Sequence, residues 1–299
     1  MSFIVKGWQI DVSEMNPLKF TQENLIGYNP DTTTFQKLYQ STKFARFKYV
    51  QKYAINDWLK VQVVKTLIED LNFEVIITAK LIDLNGLQYG PDLELTERTG
   101  TWDSSITVYE IEKQLTSSYQ GTWIVQIDYE IIEREIIDPI TVNISHISEP
   151  INIQYQNQFL PLIEYRNTKN LVENFMFYEI NGETKPYQLR AELYNDWIPK
   201  LEIEEYREQM GHSLVDSQRY RVIKLSNSKL IAGWICQKLA WALSHDELYY
   251  NGLEVSIISI EDPQPVMSGS YGFSFSAVIT EKDNILSQRI CFDEILKRE

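Results

Sequence analysis

Along most of the chain, apolar and polar residues alternate, which is the period-2 signature of strands that bury one face. Clear runs are Phe44–Lys52, Trp58–Val64, Phe73–Ile82, Ile106–Ile111, Thr122–Ile132 and Ile140–Ile147. In the fifth run, Trp123, Val125, Ile127, Tyr129 and Ile131 fall on one face, while Gln126, Asp128 and Glu130 fall on the other. Branched and flat side chains supply these runs, and they suit a pleated surface better than a helix. The pairs Asn85-Gly86, Asn181-Gly182 and Asn251-Gly252 sit between such runs, where Asn-Gly favours a two-residue hairpin turn, so hairpins are predicted at all three.

One segment changes period. Leu230, Ile231, Trp234, Ile235, Leu239, Trp241, Ala242 and Leu243 recur at helical spacing, predicting an amphipathic helix over 228–244 with Ser226 or Ser228 as N-cap. Its apolar face is expected to lie on a sheet, and His245 beyond its C-terminal end is expected to be favoured as a cation by the helix dipole. Residues 13–40 alternate poorly and contain Pro17 and Asn29-Pro30-Asp31, which predicts a loop or extended arm. Pro139, Pro150 and the polar stretch Ser148–Asn152 place a domain boundary near 149/150. The resulting fold class is mainly β: two β-sandwich-like domains, 1–149 and 150–299, the second with one amphipathic helix packed on its sheet.

Composition agrees with a folded chain of 299 residues, with 43% hydrophobic and 23% charged residues. The formal net charge of −14 repels a phosphate backbone, so direct nucleic-acid binding is not expected. No apolar run reaches the roughly 20 residues of a membrane span, and Met1–Asp11 lacks the apolar core of a secretory signal, so synthesis in the cytoplasm without membrane insertion is expected. Only Cys236 and Cys291 are present, too few for a disulfide framework, and both read as reduced thiols.

The chemistry-bearing patterns are sparse. His146, His212 and His245 lie far apart, without the short His or Cys spacings of a zinc site. Glycines do not form a phosphate loop, and Ser268–Gly272 is a small-residue turn, not a nucleophile elbow. The acidic stretch Glu202–His212 lacks the spacing of a calcium loop and reads as a solvated loop. No catalytic, cofactor-binding or metal-binding residue is assigned. The basic residues Lys43, Arg46, Lys48 and Lys52 interleave with aromatic ones just before Trp58, and these five are the candidate subunit contacts, suited to an acidic neighbouring surface.

Two stretches carry a family resemblance. Residues 48–63, beginning Lys48-Tyr49-Val50-Gln51-Lys52-Tyr53, resemble an N-terminal motif of structural proteins from phages and prophages of Bacteroidota. The second half of the same group is resembled by Tyr187–Arg190, Tyr206–Gly211, the segment ending Ala242–Asp246, and Leu248–Val255. The resemblance implies a virion component of the tail, neck or baseplate, working as a cyclic oligomer of identical subunits beside neighbouring tail or neck proteins, and it brings no catalytic residues. Eighteen Tyr and seven Trp leave open an alternative, a β-sandwich module that binds or cleaves host surface glycans.

Overall fold

The structure is a computed structural model that describes residues 2–5, 8–12, 15–23, 50–67, 73–133, 141–171, 176–208, 211–227, 231–265, 272–282 and 286–288. In chain order the strands are β1 (Ser2–Val5), β2 (Trp8–Val12), β3 (Phe20–Glu23), β4 (Gln51–Tyr53), β5 (Trp58–Leu67), β6 (Phe73–Ile82), β7 (Leu95–Arg98), β8 (Ile106–Gln114), β9 (Gly121–Glu133) and β10 (Thr141–Ser148). They continue as β11 (Ile151–Ile153), β12 (Leu162–Arg166), β13 (Tyr187–Arg190), β14 (Leu193–Glu208), β15 (Gly211–Asn227), β16 (Ile231–Ala232), β17 (Glu247–Tyr250), β18 (Leu253–Pro265), β19 (Gly272–Glu281) and β20 (Leu286–Gln288). Helix α1 spans Gly233–Leu243, and two 3-10 turns cover Ser117–Tyr119 and Tyr155–Phe159.

Five of the six predicted strands form, as β5, β6, β8, β9 and β10, while residues 44–49 of the run Phe44–Lys52 lie outside the described residues and only its end enters β4; the fold is mainly β with sandwich-like layers and a helix. A five-stranded sheet runs β1-β2-β5-β8-β7. A second sheet of fifteen strands follows the path β14-β15-β19-β18-β17-β12-β13-β4-β11-β9-β10-β3, with β16, β20 and β6 attached to β19, β15 and β9. Among the described strands, pairing is antiparallel except between β4 and β11.

Period-2 patterning explains the first core. Val125, Ile127, Tyr129 and Ile131 of β9 are buried against Leu59, Val61 and Val63 of β5 and Ile111 of β8, while Glu130 on the other face is exposed. Ile124 alternates out of that core and is buried instead with Ile82, under Ile147. The second core places Ile235, Leu239, Ala242 and Leu243 of α1 with Ile163, Leu248, Val255 and Ile279 of the sheet beneath. The first core draws on residues up to Ile153 and the second on residues from Ile163 onward, plus Met15.

Several local expectations are revised. The helix starts at Gly233, with Ala232 as N-cap and no side-chain cap, because Ile231 and Ala232 are held as a strand by Phe273 and Gly272 and Ser226 belongs to β15. Asn251-Gly252 does form the two-residue turn, with φ 50° and 80°, between Tyr250 and Leu253. Asn85-Gly86 lies in a wider turn, closed by the Asp83 carboxylate accepting from the amides of Asn85 and Leu87. Asn181-Gly182 makes no hairpin; the Asn181 amide donates to the Thr99 carbonyl, 2.8 Å away, across the sheets.

Glu202–His212 is not a loop. Most of it lies on β14 and β15, a hairpin whose ladder runs from Leu193↔Asn227 to Glu208↔Gly211, because the cross-strand register overrides the charge density. Of the proposed arm, Met15–Leu18 are buried and β3 pairs with β10, since Asn16 exchanges hydrogen bonds with the Gln62 backbone at 2.9 Å each way. The rest of that segment from residue 24 lies outside the described residues, as do Lys43, Arg46, Lys48 and Cys291. Among the described residues, no helix is long and apolar enough to cross a membrane.

Candidate functional site

Among the described residues, three buried polar clusters tie the layers together, and one of them lies directly under a surface with an unusual composition. That cluster centres on Asp57, in the turn between β4 and β5. Arg190, at the end of β13, grips it with a fork: Nε donates to Oδ2 at 2.6 Å and Nη2 to Oδ1 at 2.8 Å. Both residues are buried. Such a pair is desolvated, so it is tolerated only where further hydrogen bonds satisfy it. They exist here: the Ala54 amide donates to Asp57 Oδ2 at 2.6 Å, and Arg190 Nη1 donates to the Leu160 carbonyl at 2.7 Å.

Through these bonds one ion pair positions two surface turns. The Tyr155–Phe159 turn is held by Arg190 and by Asn157, whose buried amide donates to the carbonyls of Tyr53 at 2.9 Å and Asn152 at 3.0 Å. The Ser117–Tyr119 turn is joined to the 54–57 turn by the Asn56 amide on the Leu115 carbonyl (2.6 Å) and the Leu115 amide on the Asp57 carbonyl (2.9 Å). Strand β11 then lies beside the start of β9, with Asn152 opposite Thr122.

The surface above carries no charge over two stretches. Residues 114–127 and 150–163 contain no Asp, Glu, Lys or Arg, although the chain as a whole is at −14. On this end Phe159 is 79% exposed and Tyr155 62% exposed, with Gln156 and Gln158 exposed between them. Large aromatic side chains this open to water are expected where something else covers them.

Lys52 and Trp58, the two candidate contacts within the described residues, flank this end. Lys52 forms an ion pair with Glu192 inside the same chain. Trp58 is half-buried: its backbone amide donates to Gln188 Oε1 at 2.7 Å, and Lys185 Nζ lies 5.2 Å from its ring. Neither Asp57, Arg190, Tyr155 nor Phe159 was singled out by sequence patterning, because Asp57 and Arg190 stand 133 residues apart. The one available signal was the charge-free run from Pro150 to Ile163.

The second cluster joins the five-stranded sheet to residues 177–187. Arg98 bridges Glu110 (2.8 Å) and Glu112 (3.0 Å), and Lys60 Nζ lies 3.3 Å from Glu110 and donates to the Lys185 carbonyl at 2.7 Å. Burial lowers the Lys60 pKa, against the opposing pull of Glu110 and Glu112. Beside it, Gln62 donates to the Phe177 carbonyl and accepts from the Phe177 amide. Each charge has a counter-charge, and Lys60 and Glu110 are buried, so the cluster acts as a joint.

The third cluster revises the reading of His245. Its Nδ1 donates to the Trp241 carbonyl at 2.6 Å at the end of α1, which leaves Nε2 to accept from the Tyr178 hydroxyl at 2.7 Å. Burial lowers its pKa, outweighing the helix-end carbonyl and Asp246, so the imidazole is held neutral. His146 is also buried, beside the Tyr129 hydroxyl, and burial lowers its pKa to about 4. His212 pairs with Arg207 near the tip of the β14–β15 hairpin. Burial pushes the Cys236 thiol up to about 11, which makes it a core hydrophobe rather than a nucleophile.

In comparisons with protein families, curated proteins and solved structures, nothing matches this chain.

Proposed function

We propose that this protein is a non-enzymatic structural subunit of a phage virion, part of a tail or neck ring, made in the host cytoplasm and assembled through contacts with copies of itself and with neighbouring virion proteins. The observation that carries the reading is the β14–β15 hairpin. Its ladder extends from Pro199 to Glu208 beyond the part of β15 that β19 pairs, since that pairing ends at Val222. At about 3.3 Å per residue this is a ribbon roughly 30 Å long. Among the described residues, only β20 flanks it, over Ser217–Arg219, and β14 has no strand partner on its outer edge. A two-stranded ribbon is marginal in water by itself, so a neighbour that covers it supplies the missing stabilisation.

Electron microscopy and mass photometry of the purified full chain test this reading. Rings or defined oligomers are expected; a protein that stays monomeric at every concentration overturns it.

The exposed Tyr155-Gln156 and Gln158-Phe159 pairs favour a second reading, a glycan-binding module, because aromatic faces stack on sugar rings and amides bond to hydroxyls. Glycan-array binding by a monomeric protein would favour that function over assembly.

A further inference from the structure

We propose that the charge-free end built on Asp57 and Arg190 is a binding site for a neutral oligosaccharide, with Phe159 and Tyr155 as its stacking platforms. The inference rests on the glycan reading of these two rings and names the ligand class. It uses a different surface from the β14–β15 hairpin, so it stands beside assembly rather than against it.

Two turns make the surface. Strand β9 begins at Gly121 and β11 ends at Ile153, and these two residues lie opposite each other. The Ser117–Tyr119 turn leads into the first and the Tyr155–Phe159 turn leaves the second, so both turns emerge from neighbouring strands at one end of the sheet. Apart from Tyr155 and Phe159, every exposed residue in 114–127 and 150–163 is a Gln, Ser or Thr. The core of a protein–protein contact is depleted in Ser and packs apolar groups together. Isolated rings among amides and hydroxyls suit instead a sugar, whose ring faces are apolar and whose edge carries hydroxyls that donate and accept.

Charge selects the class. The two stretches hold no cation to receive a sialate or uronate carboxylate, and a chain at −14 repels one. The flanking cations are engaged: Lys52 pairs with Glu192, and Lys113 Nζ lies 5.7 Å from the centre of the Tyr119 ring. A cationic ligand would be drawn to the carboxylates elsewhere on the chain, which leaves an uncharged one. The platform is also rigid before anything binds. Arg190 Nη1 donates to the carbonyls of Gln158 (3.4 Å) and Leu160 (2.7 Å), the residues on either side of Phe159, and the Asn157 amide is anchored on the Tyr53 carbonyl at 2.9 Å. Holding the turn in one shape lowers the ordering penalty on binding. Tyr155 and Phe159 stand about 8 Å apart along the turn at about 2 Å per residue, so a ligand that covers both is a chain of sugars, not a single ring.

The test is a glycan array probed with the full chain, carrying neutral oligosaccharides beside sialylated and uronate-containing ones, followed by calorimetric titration of the strongest neutral binder. Neutral glycans should bind, with an affinity that does not change between low and high salt. Phe159→Ser and Tyr155→Ser should each weaken that binding roughly 10-fold with the melting temperature unchanged, since both side chains are exposed, whereas Phe159→Trp should retain it. Binding confined to anionic glycans overturns the class while leaving the glycan reading intact, and neutral binding that both serine variants retain in full overturns the location. No binding to any glycan overturns this proposal and the glycan reading together, and leaves assembly untouched. Self-association that Phe159→Ser weakens, with no glycan bound, gives the surface to a second copy and also overturns the proposal.

Discussion

Asp57→Ala is the most informative single perturbation, because one carboxylate holds together parts of the chain far apart in sequence. The substitution removes both bonds of the Arg190 fork and the acceptor for the Ala54 amide. Arg190 then keeps its charge in a buried place without its forked carboxylate, while Nη1 still faces the Leu160 and Gln158 carbonyls. Breaking one side of a buried pair costs about 3–5 kcal/mol. At roughly 2–4 °C per kcal/mol, the melting temperature should fall by roughly 6–20 °C. Arg190→Met should cost a similar amount, because Asp57 is then left buried with the Ala54 amide alone among these partners.

The double variant Asp57→Ala/Arg190→Met separates charge from shape. It leaves no buried unpaired charge, the Gln158 carbonyl can turn to water, and the Ala54 amide is the chief orphan, worth about 1–3 kcal/mol. Thermal and urea unfolding of all four proteins should give a coupling at least as large as one single loss, about 3 kcal/mol or more, with the double variant no worse than either single one. Strictly additive losses would refute the reasoning, since they would mean that the two groups do not depend on each other.

Other expectations are independent of that pair. The unfolded His146 imidazole takes a proton near 6.5 and the native one only near 4, so native stability is full above 6.5 and declines as pH falls from 6.5 to 4. The decline attributable to this group is at most about 3 kcal/mol, and His146→Phe should flatten that part of the pH–stability curve measured in urea. Gly100→Ala should destabilise the contact between Gly100 and Ile180, because an added Cβ would sit 2.4 Å from the Glu179 carbonyl oxygen, and thermal unfolding should report the loss. Gly252→Ala, at φ 80° with open space around it, should cost only about 1–2 kcal/mol from the left-handed backbone. Cys236 should resist alkylation in the native protein and react promptly in denaturant, as read by mass spectrometry; fast native modification would contradict its burial.

Much of the strand content was legible from alternation because side-chain period 2 is a local property: β6 spans the same residues as its apolar run, and β9 buries the face that the pattern assigns to the core. The Asn251-Gly252 turn was legible for the same reason, since positive φ at both positions is a local demand. The candidate site was not. Asp57 and Arg190 look like ordinary polar positions in sequence, and only the pairing of β13 with β12 and β4 brings them within hydrogen-bond reach.

The sequence by itself determined where the chain extends, where it turns tightly and which segment coils, because those depend on neighbours within a few residues. The tertiary structure decided the rest: that a dense acidic stretch lies on a long hairpin, that His245 is buried neutral instead of charged at a helix end, and that two uncharged stretches meet over a buried ion pair. Each outcome depends on desolvation and on contacts between distant residues, and local pattern carries no record of either.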